Sequence, residues 1–247
     1  DRARPVLPSN VMLHFPIERY MMSRALAAIV ITGIMCAPAA GAAQEDPNRV
    51  VAGGGITVPG WMGKADAGSV TEAKLAKEGD ALVVTTGPAI TYWNPANRAT
   101  GDYTVKATFT EAKYMSLNNH PHPYGIVIAG NDLGTEQQSY LYCAAYGSGT
   151  FIVRGFGPAP FQMGGRRPTA HDAVHKAAGP GQPVTQEIAV SVKGDQVSCA
   201  INGAVVATYP KAELVVEGKL KSTDGVYGIR FAHNTDGTVA GLTMTTP

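Results

Sequence analysis

The chain has 247 residues, 45% of them hydrophobic and 16% charged, with 20 Lys plus Arg against 19 Asp plus Glu. Both signs are scattered, so no basic patch of the kind nucleic-acid binding needs is present. A Gly-x-Ser-x-Gly elbow, a phosphate-binding Gly-rich loop and a Cys-x-x-Cys pair are also missing, which removes the commonest motif-borne chemistries.

Residues 1–20 read as sequence upstream of an export signal that occupies 21–43. Arg24 supplies the basic start, Ala25 to Met35 the apolar core, and Ala37-Pro38-Ala39-Ala40-Gly41-Ala42-Ala43 the small residues a signal peptidase accepts. Cleavage is expected between Ala42 and Gln44. The apolar stretch is too short for a typical spanning helix, so no membrane span is expected after cleavage, and the product is periplasmic or extracellular. Gly33-Ile34-Met35 before Cys36 does not suit lipid attachment.

Counted from residue 44, 16 basic residues face 17 acidic ones, a net charge of −1. Roughly 200 residues are ample for one core. Residues 44–60, rich in Gly, Pro and Val, read as an extended lead-in, and 61–247 as a single domain.

Short strands then follow one another. They are expected at Ala81 to Thr86, Tyr103 to Thr110, Gly125 to Ala129, Ser139 to Tyr146, Thr150 to Phe156, Gln186 to Lys193, Gln196 to Asn202, Ala204 to Tyr209, Gly225 to Ala232 and Val239 to Thr245. Ile188, Val190 and Val192 alternate with Ala189, Ser191 and Lys193, the period of a half-buried strand. Asn202-Gly203 between apolar runs is the strongest short-range hairpin signal, because both central residues of a type I′ turn need positive φ. The class is all-β, a two-sheet antiparallel sandwich or jelly roll. Two stretches break the rhythm. Ala112 to Pro123 carries His120-Pro121-His122-Pro123, and Pro158 to Pro183 is a Gly/Pro/basic insertion with Arg166-Arg167 and room for a helical turn near Ala170 to Ala177.

With the leader removed, Cys143 and Cys199 remain. Alternation puts Cys143 with Leu141 and Ala145, and Cys199 with Val197 and Ile201, so both point into the core. An exported setting favours a disulfide between them, with two inert buried thiols as the alternative.

The order of segments resembles the concanavalin A-like lectin/glucanase superfamily, and within it bacterial secreted domains akin to 3-keto-disaccharide hydrolases and laminin G-like jelly rolls. The resemblance is carried by Pro88-Ala89-Ile90-Thr91-Tyr92-Trp93, Gly101-Asp102-Tyr103-Thr104-Val105, Tyr124-Gly125-Ile126-Val127-Ile128-Ala129-Gly130, Tyr140-Leu141-Tyr142, Gly149-Thr150-Phe151-Ile152-Val153-Arg154, Ile201-Asn202-Gly203 and Gly225-Val226-Tyr227-Gly228-Ile229-Arg230. It implies a concave face that often holds carbohydrate, sometimes with calcium nearby. The closely spaced Glu-x-Asp-x-x-Glu carboxylates of the glucanase branch are missing.

Ligand contacts are expected from Tyr92, Trp93, Arg98, Asn131, Asp132 and Arg154: an indole covers a sugar's apolar face, while amide and guanidinium groups bond its hydroxyls. The indole also serves as a core anchor in many sandwiches. Tyr140, Tyr142 and Tyr146 share one strand face, either an aromatic platform or a packed surface. Asn131-Asp132 offers oxygen ligands for calcium, the one cofactor considered, or plain turn chemistry. No residue is assigned to a metal: His171 and His175 have the spacing of a helical zinc pair but sit in a Gly/Pro-rich loop. If the protein is an enzyme, Asp132 or Glu136 with His122 or His171 would supply acid/base function. The leading expectation is a secreted carbohydrate-binding module; the alternatives are a glycoside hydrolase of the 3-keto-disaccharide type and a non-catalytic envelope or adhesion domain.

Overall fold

The computed structural model describes residues 46–247; the expected leader and Cys36 lie outside the described residues. Sixteen strands run in chain order as β1 (Gly55–Ile56), β2 (Met62–Ala65), β3 (Ala73–Glu78), β4 (Ala81–Thr86), β5 (Ile90–Ala99), β6 (Tyr103–Glu111), β7 (Pro123–Asn131) and β8 (Ser139–Tyr146), then β9 (Thr150–Phe156), β10 (Pro160–Met163), β11 (Thr169–Ala170), β12 (Val184–Lys193), β13 (Gln196–Ile201), β14 (Ala204–Pro210), β15 (Gly225–Phe231) and β16 (Asp236–Thr245). One sheet has the order β1-β3-β4-β16-β6-β12-β13-β14. The other runs β10-β9-β8-β7-β15-β5-β2, with β11 also on β9. Pairings are antiparallel except β1 with β3. This is the all-β two-sheet sandwich that the concanavalin-like resemblance implies.

All ten expected strands are present. The insertion that follows β9 holds β10 and β11 rather than a helix. Six further strands, β1, β2, β3, β5, β10 and β11, were not disclosed by the pattern. β5 is ten residues long with Pro95 inside it, and its pairing with β15 shifts register where that proline falls.

Between the sheets Phe109, Tyr124 and Phe231 stack with centroids 5.8 to 6.0 Å apart, among fully buried Leu75, Ile90, Ile126 and Ile188. Cys143 on β8 and Cys199 on β13 form a disulfide across the two sheets, with Cα atoms 6.1 Å apart. The expected hairpin turn joins β13 to β14, with φ of +50° at Asn202 and +85° at Gly203. Asn202 is also held by its side chain, which donates to Ala173 O and Gln186 Oε1 and accepts from Glu187 N.

The outward face of the second sheet decides where function can lie. Alternation sends Leu141, Cys143 and Ala145 of β8 into the core and turns Tyr140, Tyr142, Ala144 and Tyr146 outward, where they form a second apolar cluster with Val127 and Ile152. Gly125 and Ala144 pair at its centre, and a Cβ on Gly125 would lie 1.9 Å from the Cys143 carbonyl, so only glycine lets β7 approach β8 there.

Candidate functional site

A cleft of about 430 Å³ opens on that outward face. Its floor is built around Arg230. On β15, Ile229 and Phe231 face the core, so Arg230 faces outward in the row Thr91, Arg230, Gly125, Ala144. Its guanidinium forms a two-pronged ion pair with Asp66, donates to Thr91 Oγ1 at 2.8 Å and Tyr140 Oη at 3.2 Å, and lies 5.1 Å from the ring centroids of both Tyr142 and Phe156. Burial by itself disfavours the charged form, but the surrounding oxygens, above all Tyr140 and Asp66, overcompensate and raise the pKa above its ordinary value. Asp66 reaches the guanidinium because it directly follows β2, with its N–H donating to Ala89 O.

Beside it Arg154 projects from β9, its Nε donating to Gln162 Oε1 at 2.8 Å. Burial pushes the Tyr140 and Tyr146 hydroxyls up to about 12, against the opposing charges of Arg230 and Arg154 respectively, so both phenols are neutral hydrogen-bonding groups at neutral pH.

The far wall is three histidines. β7 begins and β15 ends at the same edge of the sheet, where Ala232 N donates to Pro123 O, so His120 and His122 before β7 meet His233 after β15. The rings of His122 and His233 stack at 4.1 Å, and His120 packs edge-on to His122 at 4.4 Å. Burial, helped by the neighbouring imidazoles, lowers the His122 pKa to about 4, so His122 is a neutral imidazole at physiological pH.

Of the expected ligand contacts, the cleft takes in Arg154 alone. Tyr92 falls on the core side of β5, is fully buried and has a hydroxyl without a hydrogen-bond partner. Trp93 does face outward, but the loop between β7 and β8 covers it, with Gly134 against the indole, and leaves it 3% exposed. Arg98 is exposed near the far end of β5, opposite Val226. Asn131 donates to Ala129 O and Asp224 O, and Asp132 pairs with Lys221, so both are engaged with the segment that precedes β15. Their sequence neighbourhood placed these residues together, but the β7–β8 loop carries them away from the cleft.

Among the acid/base candidates His122 lines the cleft. Glu136 instead pairs with Lys64 at 3.2 Å, and His171 lies in the insertion beside Phe151, its Nδ1 accepting from Ala173 N. The 171–175 segment is a turn, so the helical spacing that would put His171 and His175 on one face does not arise. Asp66 and Arg230 were not among the expected site residues. The available signal was Arg230 itself, a charge inside the apolar strand Gly225–Phe231.

Scans against family models and curated proteins find no match. Solved structures similar to this chain include a carbohydrate-binding module, CBM66, from Bacillus subtilis (9% identity, 77% of this chain and 98% of that one, TM-score 0.43). A protein of unknown function with a galectin-like fold from Bacillus subtilis (11%, 75% and 89%, 0.47) and a putative glycosyl hydrolase from Parabacteroides distasonis (13%, 75% and 100%, 0.45) are also similar. At these values the likeness carries no inference about ligand or activity.

Proposed function

We propose that the protein is an exported saccharide-binding module whose ligand lies in the Arg230 cleft. The observation that carries this reading is the arrangement of Arg230: a charge fixed by Asp66, Thr91 and Tyr140 between two aromatic rings, at the base of a concave surface. Hydroxyl-rich ligands are recognised by such rigid polar groups set beside aromatic faces, because each fixed donor or acceptor costs little ordering when the ligand arrives. Arg154 and the histidine wall add further polar edges around the same concavity. The cross-sheet disulfide and the signal-like sequence at 21–43 support export.

A two-carboxylate glycosidase is the weaker reading. Both standard mechanisms need an acid and a second carboxylate flanking the scissile bond. Asp66 is the one carboxylate among the described residues lining the cleft, and it is committed to Arg230.

A glycan array with the purified full chain, followed by calorimetry on the best binder, tests the proposal. Binding that weakens about tenfold in Arg154→Ala with the fold intact supports it. No binder on the array, or a binder indifferent to Arg154, overturns it.

A further inference from the structure

The three histidines of the cleft wall converge on one point. One ring nitrogen from each of His120, His122 and His233 lies within 4.8 Å of the others. What distinguishes this from a chance cluster is where the remaining nitrogens point. His122 Nδ1 meets the backbone carbonyl of His233 at 2.6 Å, and a carbonyl can only accept, so this nitrogen carries the hydrogen. His120 Nδ1 faces Asn119 Oδ1 at 2.7 Å and the Asp46 carboxylate at 3.7 Å; His233 Nδ1 faces Asn48 Oδ1 at 3.3 Å. Each ring therefore has an oxygen near its Nδ1, and at His122 the carbonyl fixes the tautomer with the lone pair on Nε2. Histidine ligands of metal ions are oriented by this same kind of oxygen partner.

The consequence is visible between His120 and His122, whose Nε2 atoms confront each other at 2.8 Å. Two lone pairs at that distance repel. Either a proton or a cation must lie between them.

We infer that His120, His122 and His233 form a three-histidine site for a divalent first-row transition ion, with zinc the best fit, whose fourth position opens into the cleft. Imidazole nitrogen suits zinc, copper, nickel and iron rather than calcium or magnesium. A tetrahedral zinc with nitrogen ligands at about 2.05 Å sets them about 3.4 Å apart. The closest pair here opens slightly and the widest gap closes by at most about 1.4 Å, within reach of small ring rotations. Three protein ligands plus one exchangeable position is the pattern of zinc sites that engage a ligand rather than merely brace a fold. The three histidines line the same cleft as Tyr146 and Arg154, so an ion there would share that space with whatever occupies it. The inference stands on the imidazoles alone and goes beyond the saccharide reading.

The test uses the full chain without an affinity tag, stripped with chelator and titrated with Zn²⁺ by calorimetry. One equivalent is expected in the parent. His120→Ala, whose side chain is half exposed and whose loss leaves the core untouched, is expected to bind at least tenfold more weakly with an unchanged circular dichroism spectrum. His171→Ala, in the distant loop, is expected to bind as the parent does. Co²⁺ gives an independent readout, visible d–d bands that disappear in His120→Ala. Folded parent chain that takes up no stoichiometric metal would mean that a proton alone separates the two Nε2 atoms, and would overturn the inference. So would a His120→Ala variant that binds like the parent. Saccharide binding by the stripped chain is measured separately, so the two proposals fail independently.

Discussion

Arg230 and Asp66 form a doubly hydrogen-bonded ion pair although 164 positions separate them, and that pair joins the strand after β14 to the second strand of the fold. The guanidinium side is 9% exposed and the carboxylate 37%, so the arginine depends on Asp66 far more than the reverse. Arg230→Lys keeps the charge but loses the fork and the planar surface that lies between Tyr142 and Phe156. It is expected to cost about 3 kcal/mol in urea denaturation. A loss below about 0.5 kcal/mol, the size of a typical surface substitution, would show that the pair is incidental.

Trp93 and Arg154 should behave oppositely. Trp93→Ala removes a covered indole and is expected to destabilise by about 3 kcal/mol. Arg154→Ala is expected to leave the melting temperature within about two degrees and to weaken saccharide binding about tenfold, a loss near 1.4 kcal/mol. Parallel melting curves and calorimetric titrations separate the two; a Trp93→Ala variant of full stability would refute the packing role.

The disulfide spans 56 positions. Constraint of the unfolded chain over a loop of that length is worth about 4 kcal/mol in the chain-entropy account. The Cys143→Ala, Cys199→Ala double variant is expected to lose about that much stability, and non-reducing peptide mapping should recover the two cysteine peptides linked. Separate peptides under those conditions would contradict the bridge.

Glu111 gives the fold a pH dependence. At the end of β6 it is 5% exposed, its Oε2 has no hydrogen-bond partner, and burial raises its pKa from 4.5 to about 7, helped by the nearby Asp236 charge and opposed by a hydrogen bond from the Met115 backbone. The fold prefers the protonated acid, so between pH 4.5 and 7 the native state holds more protons than the unfolded chain and stability falls as pH rises. The full effect is on the order of 3 kcal/mol. Glu111→Gln is expected to be more stable than the parent at pH 8 and to lose most of that advantage at pH 4.5. Equal differences at the two pH values would place the ionisation elsewhere.

Much of this architecture was legible because alternation is a local signal. The ten expected strands and the Asn202-Gly203 turn depend on a few adjacent residues each, and the inward direction of Cys143 and Cys199 follows from counting by twos. β5 escaped because Asn94, Pro95 and Asn97 read as punctuation within what is a long strand next to the sheet edge. The cleft was less legible for a different reason. Arg230, Asp66, His122 and His233 come together through sheet order, and sheet order is set by which apolar faces bury one another, which no local window contains. Tyr92-Trp93 misled for the same cause: one face of β5 belongs to the core, and the other is roofed by a loop arriving from β7.

The cross-sheet bond has a consequence for the cleft as well as for stability. β8 carries Cys143 inward between Tyr142 and Ala144, which face outward. A slip of one position along β7 would turn Cys143 toward solvent and bury the two residues beside it. The sulfur bridge to the opposite sheet opposes that slip covalently, so the layout of the cleft, aromatic shelf on one side and imidazole wall on the other, is held by a bond as well as by packing.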